Sequence, residues 1–176
     1  MEVALRAMNL LASFSLFRSS PSLTEDRMVP LLTLFDQHGA HIRRNLEFSH
    51  VATSNHYLTD IAGLLWIAVM LPELAQAADW REWALREMLR EMDKQILPDG
   101  ADYEGATGYH CFVLELFLYS FILCRANQIQ IEDSYWRKLE AMLLYLRGIL
   151  RPDGFCATHW RYGRQPRVAD CHAQRQ

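Results

Sequence analysis

Hydrophobic residues recur along most of the chain at spacings of three and four residues, which is the period of an α-helix. Val3, Met8 and Leu11 lie near the start of this pattern, and later segments repeat it. Alternation with period two, the sign of a half-buried β-strand, is nearly absent. The pattern predicts an all-α protein whose helices span residues 1–18, 25–43, 55–71, 80–96, 107–126 and 133–150.

Residues that commonly begin and end helices stand near the predicted boundaries. Side chains able to cap a helix occur before or at four starts, namely Thr24, Ser54, Asp79 (with Glu82 three residues on, as in a capping box) and Thr107. Pro72 is expected to end the third helix, and the turn Pro98-Asp99-Gly100 the fourth.

The predicted helices alternate in character, and one turn motif repeats. Segments 55–71 and 107–126 are apolar nearly all round, whereas 80–96 has one charged face. Pro-Asp-Gly occurs at 98–100 and again at 152–154, a separation of 54 residues. We therefore expect a helical hairpin as the repeating unit, with apolar inner and amphipathic outer helices. Three such hairpins make an open solenoid or an incomplete (α/α) toroid, half of a six-hairpin ring.

Composition and charge exclude several classes of protein. With 51% hydrophobic and 22% charged residues, the chain is expected to fold around a core. A net charge of -3 provides no basic field for nucleic acid or for an anionic membrane surface. The longest apolar run, Cys111 to Cys124, contains Glu115 and is too short to cross a bilayer, so no membrane insertion is expected. No signal peptide is visible after Met1.

Metal and cofactor sites find little support in the sequence. The four cysteines form no CxxC pair and no zinc-type cluster, so we expect neither a disulfide nor a cofactor. His38 and His41 have i,i+3 spacing and could share a helix face, but no carboxylate partner is evident. No metal is therefore predicted.

Asn55 and Tyr109 are separated by the repeat length of 54 residues, and each opens a predicted inner helix. Each follows a long polar connection, so both side chains are expected at the same rim of the helical array, beside a cleft. The alternatives are that Asn55 belongs only to a helix cap and that Tyr109 packs in the core. Other polar candidates crowd the same connections: His38, His41, Arg43, Arg44, Asn45, His50, His56, Asp102, Tyr103, Glu104 and His110.

Four segments together resemble a known family. They are MEVALRAMN at 1–9, HGAHIRRNLE at 38–47, SNHYLTDIAGLLW at 54–66 and PDGADYEGATGYH at 98–110. They are similar to the N-terminal toroid of the heparinase II/III-like polysaccharide lyases, alginate-lyase-like members included. The resemblance covers nearly all of the periodic part of the chain.

The resemblance implies cleavage of a uronic-acid-containing polysaccharide by β-elimination. In that reaction a base removes the C5 proton, the C5 carboxylate is neutralised, and an acid protonates the leaving O4. Asn55 matches the family's carboxylate neutraliser and Tyr109 its catalytic acid. Contacts with the acidic polysaccharide are implied for His56, Glu104, His110, Arg6, Glu2 and Asn9. For Arg6 and Glu2 the alternative is an i,i+4 ion pair that only stabilises the helix.

The chain departs from the family after Gly154. Members are longer, with further helices and a C-terminal β-sandwich domain that supplies a catalytic His, and they are periplasmic or secreted. Residues 155–176 show neither helical periodicity nor family likeness. Codons for this tail can be chosen so that removing one base yields I-G-D-T-D, which resembles the family's I-G-D-x-D segment. We therefore expect 1–154 to be a partial toroid and 155–176 a frameshifted or disordered, non-native tail.

Three functions are compatible with these patterns. The first is a fragment of a lyase acting on a heparan sulfate- or alginate-like polymer, inactive alone. The second is a non-catalytic helical-repeat module that binds a partner in its concave face and has no special need of Asn55 or Tyr109. The third is a glycoside hydrolase with Glu104 as acid, which would need Asp102 or Asp60 as its second carboxylate.

Overall fold

The computed structural model describes residues 1–49 and 54–150. This part contains six helices: α1 Glu2–Phe17, α2 Glu25–Arg44, α3 Asn55–Met70, α4 Ala77–Gln95, α5 Thr107–Ala126 and α6 Asp133–Ile149. It contains no β-strand, and Ile96 and Asp102 form an isolated antiparallel bridge. The all-α prediction is confirmed. The tail and the second Pro-Asp-Gly turn lie outside the described residues.

The six helices form two layers, as the alternation of apolar and amphipathic segments predicts. Helix α3 packs against α1 on one side and α5 on the other, while α2, α4 and α6 lie on the outside. Thirteen of the sixteen residues of α3 are buried, against three in α1 and eight in α5. Helix α3 is therefore the centre of the core, and its nearly continuous apolar sequence follows from contact on all sides.

Small residues allow the helices to approach closely. A Cβ atom added to Gly63 of α3 would lie 2.6 Å from the Cβ atom of Ala4 in α1. A Cβ atom on Gly39 of α2 would lie 2.3 Å from the ring of Trp80 in α4. Both glycines sit where another helix occupies the space of a side chain, which fixes the spacing between neighbouring helices.

Helix starts follow the capping prediction only in part. Ser54 caps α3, its Oγ accepting a hydrogen bond from the N–H of Tyr57 at 3.3 Å. Thr24 occupies the N-cap position of α2 but makes no side-chain cap. For α5 the N-cap residue is Ala106, and Thr107 is the first helical residue.

The predicted capping box of α4 is wrong. The helix begins at Ala77, with Gln76 at its N-cap, so Asp79 already lies in the first turn. Backbone hydrogen bonds turn the chain between Leu71 and Ala77 and bring it into the helix early. Ala77 and Trp80 are both buried, so packing of the first turn overrides the local capping signal.

The first Pro-Asp-Gly turn, in the connection between α4 and α5, packs against α6 of the outer layer. Gly100 has φ +86°, and a Cβ atom on it would lie 2.2 Å from the carbonyl oxygen of Ala141 in α6. Only glycine combines this backbone conformation with this approach. The N–H of Ala101 is bound by the Asp99 side chain at 3.1 Å. The turn thereby fixes the start of the loop that leads to Tyr109.

Helix α5 is the one helix in the described residues that is long and apolar enough to cross a membrane, with a mean hydropathy of 1.4 over its best window. Of that window 44% is buried inside the protein. The helix lies between α3 and α6, as a core helix does. The absence of membrane insertion stays a prediction.

Candidate functional site

The N-terminal ends of the three inner helices meet at one rim of the fold. The amino group of Met1, before α1, lies 2.6 Å from Oδ1 of Asp60 in α3. Glu104, in the loop before α5, binds Asn55 at the start of α3. An open cleft of about 590 Å³ lies at this rim. Its lining consists of Met1, Leu5, Asn55, His56, Ala106, Gly108, Tyr109 and Phe112.

Asn55 is held by a single carboxylate. Its Nδ2 donates to Oε1 and Oε2 of Glu104 at 3.2 and 3.1 Å, and its backbone N–H donates to Oε1 at 3.2 Å. Glu104 therefore satisfies one of the free N–H groups at the start of α3 and orients the amide at the same time. Only 6% of Asn55 is exposed, so little of the residue is accessible from the cleft.

Tyr109 presents its side chain to the cleft from the first turn of α5. The residue is 43% exposed, and its hydroxyl group makes no hydrogen bond within the described part of the chain. The alternative that the ring packs in the core is therefore wrong. A phenol in this position is free to donate its proton to a bound ligand.

His56 lies beside Asn55 and is bound by an acidic residue from the preceding connection. Its Nδ1 is 2.7 Å from Oε2 of Glu47. The N–H of Glu47 in turn donates to Oδ2 of Asp60 at 2.9 Å. Hydrogen bonds from the Met1 amino group and from His56 lower the pKa of Glu47. Sequence reasoning missed Glu47, although it ends one of the segments that carry the family resemblance.

His110 is buried and does not line the cleft. Its Nδ1 accepts a hydrogen bond from the N–H of Asp102 at 3.2 Å, and its Nε2 lies 3.1 Å from the carbonyl oxygen of Met142. The ring is therefore neutral, with its proton on Nε2, and burial lowers its pKa. His110 connects the loop before α5 to α6 and is therefore not one of the proposed substrate contacts.

Asp102 is a buried carboxyl group in the loop before α5. It is 2% exposed, and no side chain in the described part of the chain binds its carboxylate oxygens. Burial, together with the charge of Glu104, raises its pKa to about 7. No sequence signal indicates this burial, because Asp102 stands in a polar loop next to other charged residues.

Glu2, Arg6 and Asn9 lie along one exposed face of α1, outside the cleft lining. Glu2 and Arg6, both within the described ranges, do not form the ion pair that was the structural alternative. Arg6 lies close enough to His38 to act on it: burial, then the charge of Arg6, lowers the pKa of His38. The three residues stay predicted substrate contacts.

The remaining polar candidates spread over the outer surface. Arg43 places its guanidinium 4.4 Å from the ring centre of Trp83 in α4. His41 accepts a hydrogen bond from Asn45 through its backbone carbonyl at 2.8 Å. His50 falls outside the described residues. Across residues 1–49 and 54–150, no three His, Cys, Asp or Glu side chains are grouped so that they could hold a metal ion.

Two known proteins are similar in sequence to most of this chain. Heparin-sulfate lyases from Bacteroides stercoris and Pedobacter heparinus are each 26% identical to this chain over 161 and 155 residues, 87% of its length. The chain spans 23% of the length of these relatives. It corresponds to part of their N-terminal region.

Solved structures agree with the helical arrangement. The crystal structure of the heparan sulfate lyase HepC from Pedobacter heparinus superposes with a TM-score of 0.70 at 25% identity, covering 89% of this chain and 24% of that one. A heparinase III structure, 18% identical, reaches 0.76 over 87% of this chain and 23% of that one, which shows a common fold. The family described as Heparinase II/III N-terminus matches residues 1–175. The chain belongs to that family.

Proposed function

We propose that this chain supplies the carboxylate-neutralising and proton-donating half of a lyase site that cleaves uronic-acid-containing polysaccharide by β-elimination. The observation that carries the proposal is the presence of Asn55 and Tyr109 in the lining of one cleft. The two residues come from different hairpins and are joined at this rim by the loop that holds Glu104.

Asn55 suits the first task, which is to neutralise the C5 carboxylate of the uronate. Loss of the C5 proton places negative charge on the carboxylate oxygens of the uronate. An amide N–H can bind those oxygens without carrying a proton of its own to lose. In the free protein the two oxygens of Glu104 share one N–H of the Asn55 side-chain amide, so the other N–H of that amide can bind a uronate carboxylate.

Tyr109 suits the second task, protonating the leaving group. As C4–O4 breaks and the C4=C5 double bond forms, the departing O4 needs a proton. The phenol of Tyr109 can donate it and become a phenolate. The base that takes the C5 proton is not assigned to this chain. In the family that the chain resembles, a His of a C-terminal domain stands at the site.

An acidic polymer is favoured by the setting of the cleft as well as by the relatives. Three inner helices direct their N-terminal ends, the positive ends of their dipoles, toward this rim. The relatives are named for heparin sulfate, and we propose a polymer of that kind as substrate. A glycosidase is less well supported, because Asp60 and Asp102, its candidate second carboxylates, are each 2% exposed and do not line the cleft.

Calorimetric titration of the chain with heparan sulfate and alginate oligosaccharides tests this proposal. We expect binding of heparan sulfate that Asn55→Ala weakens about tenfold, as for loss of a hydrogen bond to a charged group. Tyr109→Phe, which removes the phenol hydroxyl, should also weaken binding, and Tyr119→Phe is its matched control, because Tyr119 is also exposed on α5 but outside the cleft lining. Equal binding by the Asn55→Ala variant would favour the non-catalytic binding module.

A further inference from the structure

Glu47 holds a position between the buried core and the cleft. Its Oε2 lies 2.7 Å from Nδ1 of His56, and its Oε1 lies 2.5 Å from the amino group of Met1. Each carboxylate oxygen therefore has its own partner. The resemblance assigns no role to Glu47.

The backbone of Glu47 is fixed by the same helix that carries His56. Asp60, one turn after His56 in α3, accepts the N–H of Glu47 at 2.9 Å. Asp60 is almost fully buried, so this hydrogen bond joins the backbone of Glu47 to the core of the fold. Helix α3 thus holds Glu47 at two points, the backbone through Asp60 and the side chain through His56.

The contact with Glu47 determines which nitrogen of His56 carries the proton in the neutral ring. An ionised carboxylate only accepts hydrogen bonds, so Nδ1 must be the donor. The lone pair then resides on Nε2, which has no hydrogen-bond partner in residues 1–49 and 54–150. Since His56 lines the cleft beside Asn55 and Tyr109, Nε2 is the ring atom left for a ligand.

We propose that Glu47 is a positioning residue for His56, holding the ring as the Nδ1–H tautomer so that Nε2 accepts a hydrogen bond from a hydroxyl group of the uronate sugar. The substrate half of this proposal rests on the proposed lyase function. The control of the ring by Glu47 does not, because it is a property of the free protein.

The first test measures the tautomer of His56 directly. Long-range ¹H–¹⁵N NMR spectra of the chain with ¹⁵N-labelled histidine, at a pH where the ring is neutral, distinguish Nδ1–H from Nε2–H. His56→Gln assigns the signals. We expect Nδ1–H in the unmutated chain and a shift toward Nε2–H, the form favoured in free histidine, in Glu47→Ala, which removes the acceptor. Far-UV circular dichroism confirms that each variant is folded.

The second test measures binding of a heparan sulfate oligosaccharide by calorimetry. Removal of a negative charge near a polyanion should, by charge alone, strengthen binding. The proposal predicts the opposite for Glu47→Ala. Affinity for the oligosaccharide should fall about three- to tenfold, because the misplaced ring of His56 loses its hydrogen bond to the sugar. Glu73→Ala, the same change at an exposed residue between α3 and α4, controls for net charge and should not weaken binding.

The outcomes separate the two halves of the proposal. An Nε2–H ring in the unmutated chain, or an unchanged tautomer in Glu47→Ala, overturns the positioning role. A changed tautomer with equal or tighter oligosaccharide binding overturns the role of Nε2 toward the sugar. If the unmutated chain binds no oligosaccharide, the proposed function fails and the sugar contact falls with it, while the tautomer still decides the positioning role.

Discussion

The indole Nε1 of Trp66 donates a hydrogen bond to Oγ of Ser120 at 3.1 Å, and the two residues are separated by 54 positions. This is the spacing of the Pro-Asp-Gly repeat and of Asn55 and Tyr109. Equivalent positions of α3 and α5 thus lie side by side at both ends of the helices. The register that this bond marks near the far end also brings Asn55 and Tyr109 to one cleft.

Ser120→Ala is expected to destabilise the chain by about 1–3 kcal/mol, because the partly buried Trp66 N–H loses its acceptor. Thermal or urea unfolding measures this change. Trp66→Phe removes the donor, so adding Ser120→Ala to Trp66→Phe should cost much less than in the unmutated chain. Additive effects of the two substitutions would show that the bond does not link the helices energetically.

Gly100→Ala is expected to destabilise the fold by about 2 kcal/mol or more, since the residue has a positive φ and its new Cβ atom would meet the backbone of α6. Gly148→Ala is the matched control: apart from its own helix backbone and chain neighbours, no atom of the described residues lies within 4 Å of its added Cβ, and the residue is inside α6. That substitution should be neutral or stabilising by up to about 1 kcal/mol. Comparable losses in both variants would contradict the tight approach at Gly100.

Asp102 should make the chain less stable as pH rises. Its pKa is raised from 3.8 to about 7 in the folded protein, so between these values the native state binds more protons than the unfolded state. The free energy of unfolding should therefore fall from about pH 4 to pH 7 and level off above, by the order of 2–4 kcal/mol from this group. Asp102→Asn should flatten this slope in urea unfolding measured across that range. An unchanged slope would rule out Asp102 as its source.

Glu104→Ala should affect stability and binding together. Loss of this carboxylate frees the first N–H of α3 and the Asn55 amide, and we expect a destabilisation of about 1 kcal/mol. Heparan sulfate affinity should also fall, although a negative charge has been removed from an anion site. Glu140→Ala, at an exposed position of α6, carries the same charge change and should alter neither property. Tighter binding by Glu104→Ala would contradict the positioning of Asn55.

Periodicity predicted the helices well because each one buries a continuous stripe. The start of α4 shows where such reasoning stops: Asp79 and Glu82 have capping-box spacing, but burial of Ala77 and Trp80 starts the helix earlier. A local capping hydrogen bond is worth about 1 kcal/mol, less than burial of a tryptophan side chain.

The sequence predicts which candidate residues lie at the same end of the fold, but not the direction in which each side chain points. The repeat placed Asn55 and Tyr109 at one rim because equivalent positions of stacked hairpins are neighbours. The direction of a loop side chain has no such periodicity. His110 therefore resembled a site residue in the sequence, yet it points into the fold between Asp102 and Met142. Glu47 contacts His56 of the cleft lining, and no periodic signal in the sequence marks it.

The central claim is that Asn55 and Tyr109 contact the same uronate sugar in one cleft. Titration of the ¹⁵N- and ¹³C-labelled chain with a heparan sulfate oligosaccharide, followed by NMR, tests it most directly. We predict that the Asn55 side-chain amide and the Tyr109 ring signals shift together, with one dissociation constant, while the Tyr119 ring signals do not move. Shifts confined to residues outside the cleft, such as Trp83 and Arg43, would contradict the claim.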